Sequence, residues 1–242
     1  MFSIFRKKKI KLRELIPKGY VDIHSHILPG IDDGAKTIND SLKLISKMRD
    51  MGFGKIIGTP HTYPGLYENT SDSIKNSFLL LKKNVDPTFN ISYSSEYFVD
   101  YSIISMAEKK SLLCLKDSYV LVEIGFISIP NIFYEVIFQL QINGYKPILA
   151  HPERYSFLFS DMKEVYKLKN VGCIFQINLL SLTNYYGEEV KKFCEKLLIE
   201  NLVDFTGSDI HSIRHINAFE GGINKKISEK VKDAMEKNKL FL

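Results

Sequence analysis

The chain is expected to fold as an α/β protein whose parallel strands close, or nearly close, into a barrel. Three observations carry this. Short apolar, β-prone runs alternate with helix-period stretches seven times along 242 residues. The polar residues that break the pattern gather at the C-terminal ends of the strand candidates. Length and composition, 45% hydrophobic and 25% charged, suit one domain with a substantial core.

The first strand is expected at Tyr20–His24, inside "VDIHSH", and it stops at two histidines one residue apart. A helix follows over Thr37–Met51, opened by the capping-type Thr37 and apolar on one face at Leu42, Ile45 and Met48. Gly52 sits just past it, where a left-handed residue turns the chain. The strand Lys55–Thr59 runs into His61 through "IIGTPH", and a helix over Ser71–Val85 follows. Strand Asn90–Ser94 runs into Glu96, then a helix over Ser102–Lys109. Strand Tyr119–Glu123 ends in its own carboxylate, before a helix over Asn131–Asn143. Strand Lys146–Ala150 runs into His151 and "HPERY", before a helix over Met162–Lys169. Cys173–Asn178 is a strand with no ionisable ligand at its end, and Glu188–Glu200 is the next helix. Strand Asp204–Thr206 leads through "DFTGSDIHS" to Asp209 and His211, and Ser228–Asn238 is the last helix.

Strands joined through helices run parallel, so their C-terminal ends share one face. In an open sheet, groups from the outermost strands lie too far apart to converge. Contributions from six of seven strands therefore favour a barrel, whose mouth collects all of them. Asp33, in the loop after the first strand, reaches the same mouth. The candidate set is His24, His26, Asp33, His61, Glu96, Glu123, His151, Asp209 and His211. A lone histidine is more often a core or surface residue than a ligand; nine such groups along one edge are a different signal. They exceed what one ion accepts and suit two or three divalent ions. Imidazole and carboxylate without thiolate favour manganese, with iron or zinc as alternatives. Such ions lower the pKa of a bridging water and clamp a phosphoryl group for in-line attack.

Composition narrows the rest. Net charge is +5, concentrated at Arg6, Lys7, Lys8, Lys9, Lys11 and Arg13. Residues 1–19 are read as a solvated basic arm, offering at most a weak contact with an anionic membrane surface, and 20–242 as a single domain. The near-neutral body gives no footprint for nucleic acid. No apolar run is long enough to span a bilayer and no signal-peptide core follows the basic cluster, so a cytoplasmic protein is expected. The three cysteines are unpaired in spacing. Thiol-based phosphate-ester chemistry needs an arginine six residues after the cysteine. Val120, Leu179 and Glu200 stand there instead.

"DIHSHILPGIDDGAK", "IIGTPH", "LVEIGF", "GYKPILAHPERY" and "GSDIH" resemble the polymerase and histidinol phosphatase (PHP) superfamily. Within it they resemble the bacterial metal-dependent protein-tyrosine phosphatases of the CpsB/YwqE type. The likeness runs from about Val21 to the last helix. It implies a distorted TIM-like (β/α)7 barrel, the PHP fold, with three metals on the nine residues above and Glu123 as a bridging carboxylate. Asp32 matches no ligand. Arg154 resembles the family's phosphate-gripping arginine; a surface pair with Glu153 or Asp161 is the plainer alternative. Arg214 matches a second family arginine loosely. Tyr63 and Tyr67, where some relatives carry basic residues, either flank the substrate ring or pack their loop. His215 has no role. The implied reaction is attack of a metal-bridging hydroxide on phosphotyrosine, with His211 or Asp209 assisting departure of the phenol. The implied partner is a tyrosine-phosphorylated protein, such as the tyrosine kinase of capsule or exopolysaccharide export. Alternatives are histidinol-phosphate hydrolysis, a PHP nuclease, an amidohydrolase and, in another class, a metal-stabilised scaffold without turnover.

Overall fold

The computed structural model describes residues 9–242. It opens with strand β1 (Lys9–Lys11), which pairs antiparallel with Gly222–Asn224 near the other end of the chain. A short 3-10 turn, Leu12–Leu15, leads to the first barrel stave, β2 (Tyr20–Ser25). Then follow α1 (Ile38–Asp50), β3 (Phe53–Gly58), β4 (His61–Thr62), α2 (Ser71–Lys82), β5 (Asn90–Tyr93), β6 (Glu96–Phe98) and α3 (Ser102–Glu108). The second half holds β7 (Tyr119–Glu123), α4 (Phe133–Ile142), β8 (Lys146–Ala150), α5 (Met162–Asn170), β9 (Ile174–Asn178), α6 (Glu188–Ile199), β10 (Phe205–Gly207), α7 (Ile213–Ala218), β11 (Gly222–Asn224) and α8 (Ser228–Lys237).

The barrel has seven parallel staves, two of them split. β2, β3 and β5 form one sheet; β4, β6, β7, β8, β9 and β10 form another. The splits join the two sheets. Pro60 has no N–H and interrupts the second stave after Thr59. The chain still follows its neighbour: Ser94 N–H donates to Gly58 O (2.9 Å) and Glu96 N–H to Pro60 O (3.1 Å). β4 and β6 then resume side by side with His61 opposite Glu96. The other seam lies between β10 and β2. There Asp209 N–H donates to His24 O (2.8 Å) and His26 N–H to Ile210 O (3.0 Å), in place of a continuous ladder. The closed or nearly closed barrel expected from the ligand positions is what the chain forms.

Inside, the barrel is apolar below and polar above. Val21, Ile23, Ile57, Leu121, Ile148 and Phe205 pack together at its floor, with Phe241 beneath. Glu123 lies two residues beyond Leu121, hence on the same inward face but at the mouth. A larger apolar layer fills the space between staves and helices. α1 is fixed by a full capping box, Thr37 with Asp40.

Three features escape the sequence pattern: the split staves, helix α7, and the β1–β11 pair. The last departs from the expectation of a solvated arm over residues 1–19 for the described part of it, from Lys9 onward. Leu12, Leu15 and Ile16 are buried. Leu12 N–H donates to Gly221 O and Arg13 N–H to Phe219 O, both at 3.0 Å. Lys11 and Arg13 pair with Glu220. Arg6, Lys7 and Lys8 lie outside the described residues. Leu12→Ala is expected to cost about 2–5 kcal/mol, as deletion of a fully buried leucine does. Urea unfolding reads this; an unchanged midpoint would return the segment to the status of a loose arm.

Candidate metal centre

All nine sequence-predicted groups meet at the C-terminal mouth of the barrel. They fall into overlapping clusters whose ligand-type atoms lie within 4.8 Å of one another: His26, Asp33, His61 and His211; His24, His151 and Asp209; His24, His26 and Glu96; His61, Glu96 and Glu123. Glu96 is the hub. Its Oε2 lies 3.1 Å from His24 Nε2, 3.4 Å from His26 Nε2 and 3.1 Å from His61 Nδ1, and its Oε1 lies 3.0 Å from His151 Nε2. Glu123, expected to bridge, approaches His61 alone (2.8 Å). The central carboxylate of this geometry is therefore Glu96.

The imidazoles are aimed by partners behind them. His24 Nδ1 meets Gln176 Oε1 at 2.8 Å, and His26 Nδ1 meets Asp32 Oδ2 at 2.7 Å. With Nδ1 of both rings engaged outward, Nε2 is the atom each ring presents to the cluster, free to ligate once it carries no proton. Asp32 is thus the carboxylate that orients His26; it also accepts from the backbone N–H of Gly34 (2.9 Å) and His61 (3.2 Å). β9, the stave without an ionisable ligand, supplies amides instead. Gln176 Nε2 donates to Asn178 Oδ1 (3.0 Å), and Asn178 Nδ2 donates to Asp209 Oδ2 (2.6 Å). Sequence reasoning missed both amides. The available signal was two amide residues two apart in an otherwise apolar strand.

Asp22 and Ser208 were missed as well. Buried Asp22 accepts Ser208 N–H (2.8 Å) and Ser208 Oγ–H (2.5 Å), tying β2 to the turn that carries Asp209. Burial pushes the Asp22 carboxyl up to about 7, with the Ser208 hydrogen bonds working against that rise. His151 (φ 36°) and Asp209 (φ 50°) are both left-handed without being glycine. That costs on the order of 1–3 kcal/mol each and marks residues held by their surroundings.

Charge and burial are balanced against each other here. Burial opposes charge on His61, but Glu96 and Glu123 outweigh it and raise the imidazole to about 10. Burial likewise opposes charge on His26, and Asp32, Asp209 and Glu96 overcome it. Glu96 stays well below the usual carboxylate range despite burial, held there by His24 and His61. Asp209 does the same beside His24, His211 and Arg154.

Several buried atoms face the cluster without a hydrogen bond: His61 Nδ1, Glu96 Oε2 and Glu123 Oε1. They approach one another at 2.8–3.1 Å without donor–acceptor alignment. Buried polar atoms are seldom left this way unless a further group completes them. The donor set, nitrogen and oxygen converging on shared points, fits divalent cations.

A cavity of about 360 Å³ opens onto the cluster, with Arg154, Phe126, Tyr186 and His215 in its wall. Arg154 Nη1 donates to Asp209 Oδ2 (3.0 Å). The surface pair with Glu153 or Asp161 does not form: Glu153 is buried and accepts from Ser181 Oγ (2.7 Å), and Asp161 caps α5. His215, without a role from sequence, accepts His211 N–H at Nδ1 (2.8 Å); burial, with His211 beside it, lowers it to about 4. The other candidates do not join. Tyr63 stacks on Phe98 and Tyr67 on His61, and neither ring lines the cavity. Arg214 is exposed on α7, its guanidinium over Tyr185.

Fold and site together define an α/β-barrel protein whose mouth suits a cluster of divalent ions. The family model for capsular polysaccharide synthesis proteins CpsB/CapC matches residues 20–239, and the chain belongs to that family. It is 32% identical over 201 residues to tyrosine-protein phosphatase YwqE of Bacillus subtilis, covering 81% of this chain and 79% of that one. It is 31% identical over 202 residues to tyrosine-protein phosphatase CpsB of Streptococcus pneumoniae, covering 80% and 83%. Among solved structures, one from the work on YwqE and CpsB as metal-dependent tyrosine phosphatases superposes with a TM-score of 0.80 at 28% identity, covering 92% of this chain and 94% of that one. A histidinol phosphate phosphatase from Lactococcus lactis shares the fold at a TM-score of 0.53 and 14% identity, covering 91% and 94%.

Proposed function

We propose that this protein is a metal-dependent protein-tyrosine phosphatase acting in capsular or extracellular polysaccharide synthesis. The observation that carries the reading is the nine-residue cluster at the barrel mouth, with a guanidinium beside it. The curated relatives are named tyrosine-protein phosphatases. His24, His26, Asp33, His61, Glu96, Glu123, His151, Asp209 and His211 would hold two to three divalent ions, with manganese as the proposed metal. Bound ions of this kind supply a water of lowered pKa and positive charge for phosphoryl oxygens.

The chain's own groups do the rest. Arg154 keeps one N–H on Asp209 and offers the others to two phosphoryl oxygens, a geometry that suits a guanidinium fork. Asp209 is itself held by Asn178, so the arginine is aimed before substrate arrives. Cys114 and Cys173 are unsuited as nucleophiles, since burial pushes their thiols up to about 11 and about 12. A phenol, with pKa ~10, departs with less help than an alcohol.

The proposed partner is a tyrosine-phosphorylated protein, with the kinase of polysaccharide export as the specific candidate. A cytoplasmic setting belongs to the same reading, supported by three free cysteines. Among the described residues no helix is long and apolar enough to cross a membrane. Weak contact of the basic N-terminus with an anionic surface is part of the proposal, though Lys11 and Arg13 already pair with Glu220.

The test is turnover of a phosphotyrosine peptide, histidinol phosphate and a dinucleotide diester by the metal-loaded protein, with metal analysis of gently purified material. Peptide hydrolysis abolished by chelation is expected. Preference for histidinol phosphate would overturn the substrate, and metal bound without turnover would make the protein a scaffold. Arg154→Ala is expected to lower kcat/KM on the peptide by about 100-fold or more, the scale for losing one aimed donor to developing charge, with metal content unchanged.

A further inference from the structure

We infer that Phe126 selects aryl over alkyl phosphomonoesters, its ring taking the phenyl ring of phosphotyrosine while Arg154 beside it takes the phosphoryl group; this rests on the phosphatase reading. Phe126 follows directly from the end of β7, three residues after Glu123. It lines the cavity with Glu123, His151 and Arg154, yet it is 47% exposed. One side of the ring packs on Tyr155 (5.6 Å between centroids), and the rest is open to the cavity. Its ring is roughly parallel to His151 (17°, 6.2 Å between centroids). The guanidinium of Arg154 lies 5.0 Å from its centroid and 4.5 Å from that of Tyr186. The two rings therefore brace the arginine by cation–π contact, and the exposed part of Phe126 continues outward from it.

A phosphoryl group held by Arg154 and the cluster points its ester oxygen toward the cavity opening. The substituent on that oxygen then passes Phe126. A phenyl ring offers Phe126 a flat partner, and aromatic pairs gain beyond the area they bury. The single methylene of phosphoserine offers none. Tyr63 and Tyr67, the residues sequence singled out for this task, have their rings engaged with Phe98 and His61.

The experiment uses the full chain loaded with manganese, as wild type, Phe126→Ala and Phe126→Leu. Two peptides of one sequence carry phosphotyrosine or phosphoserine. A third carries the non-hydrolysable phosphonomethyl-phenylalanine and is titrated calorimetrically, with inorganic phosphate as a second ligand. Phe126→Ala should lower kcat/KM on the phosphotyrosine peptide about threefold to tenfold, mainly through KM. It should weaken the phosphonate peptide by the same factor. Turnover of phosphoserine and affinity for inorganic phosphate should fall clearly less, since Tyr186 still braces Arg154 from its other ring contact, and Phe126→Leu should fall between. Equal losses on both peptides and on phosphate would mean that Phe126 acts only through Arg154, and would overturn the inference. So would an unchanged phosphotyrosine rate. Wild-type protein that binds phosphate but turns over neither peptide would instead remove the phosphatase reading itself.

Discussion

Glu96→Gln should empty the site of metal and lower kcat/KM by more than about 100-fold. Loss of a partner behind a ligand already costs ~10–100-fold in metal affinity or activity, and Glu96 stands in front. Its two oxygens face four imidazoles, those of His24, His26, His61 and His151, at 3.0–3.4 Å. An amide fills the same volume but brings no charge and turns N–H donors on half of that contact. The buried imidazoles then lack their shared counter-charge. In metal-free protein this should also cost about 3–5 kcal/mol of stability, as breaking a buried ion pair from one side does. Elemental analysis of the purified variant, with steady-state rates and urea unfolding, checks all three. A variant with full metal content and normal turnover would remove Glu96 from the centre.

Gly34→Ala is the second large effect, and it acts through space alone. A Cβ there would lie 2.1 Å from the His26 carbonyl oxygen and 2.5 Å from His26 Cβ. Neither is the end of a flexible side chain, so the loop or the histidine must move. The loop cannot swing freely: Ala35 N–H donates to His26 O (3.0 Å), and Gly34 N–H donates to Asp32, which aims His26. Overpacking of this kind costs about 1–3 kcal/mol, or roughly 2–12 °C in Tm for a chain this size. The loss of activity should exceed what stability explains, because His26 leaves its aimed position while the protein stays folded. Gly125→Ala is the comparison. Its nearest atom is Phe98 Cζ at 4.0 Å and its φ is ordinary, so Tm should move little. Equal behaviour of the two variants would contradict the steric argument.

How far the site was legible follows from which residues carry information locally. Imidazoles and carboxylates at strand ends are conspicuous, because burying them has no structural use. Amides on β9 are not, since glutamine and asparagine serve many purposes; Gln176 and Asn178 gained meaning only once His24 and Asp209 stood beside them. Phe126 read as one more apolar residue in "LVEIGF". Tyr63 and Tyr67 stood out because they follow His61 in the chain; the structure stacks their rings on Phe98 and on His61.

The sequence by itself determined that strands and helices alternate, where the seven staves and seven of the eight α-helices lie to within a few residues, and which nine imidazoles and carboxylates gather at the mouth. Periodicity, capping and residue chemistry are local properties, readable along a line. Tertiary structure alone decided that Pro60 splits a stave and sets His61 opposite Glu96, that Glu96 and not Glu123 sits at the middle, that Arg154 chooses Asp209, and that residues 9–16 join the body. These depend on the tilt and stagger of parallel staves. That stagger is fixed by pairings between segments far apart in the chain, which no single stretch records.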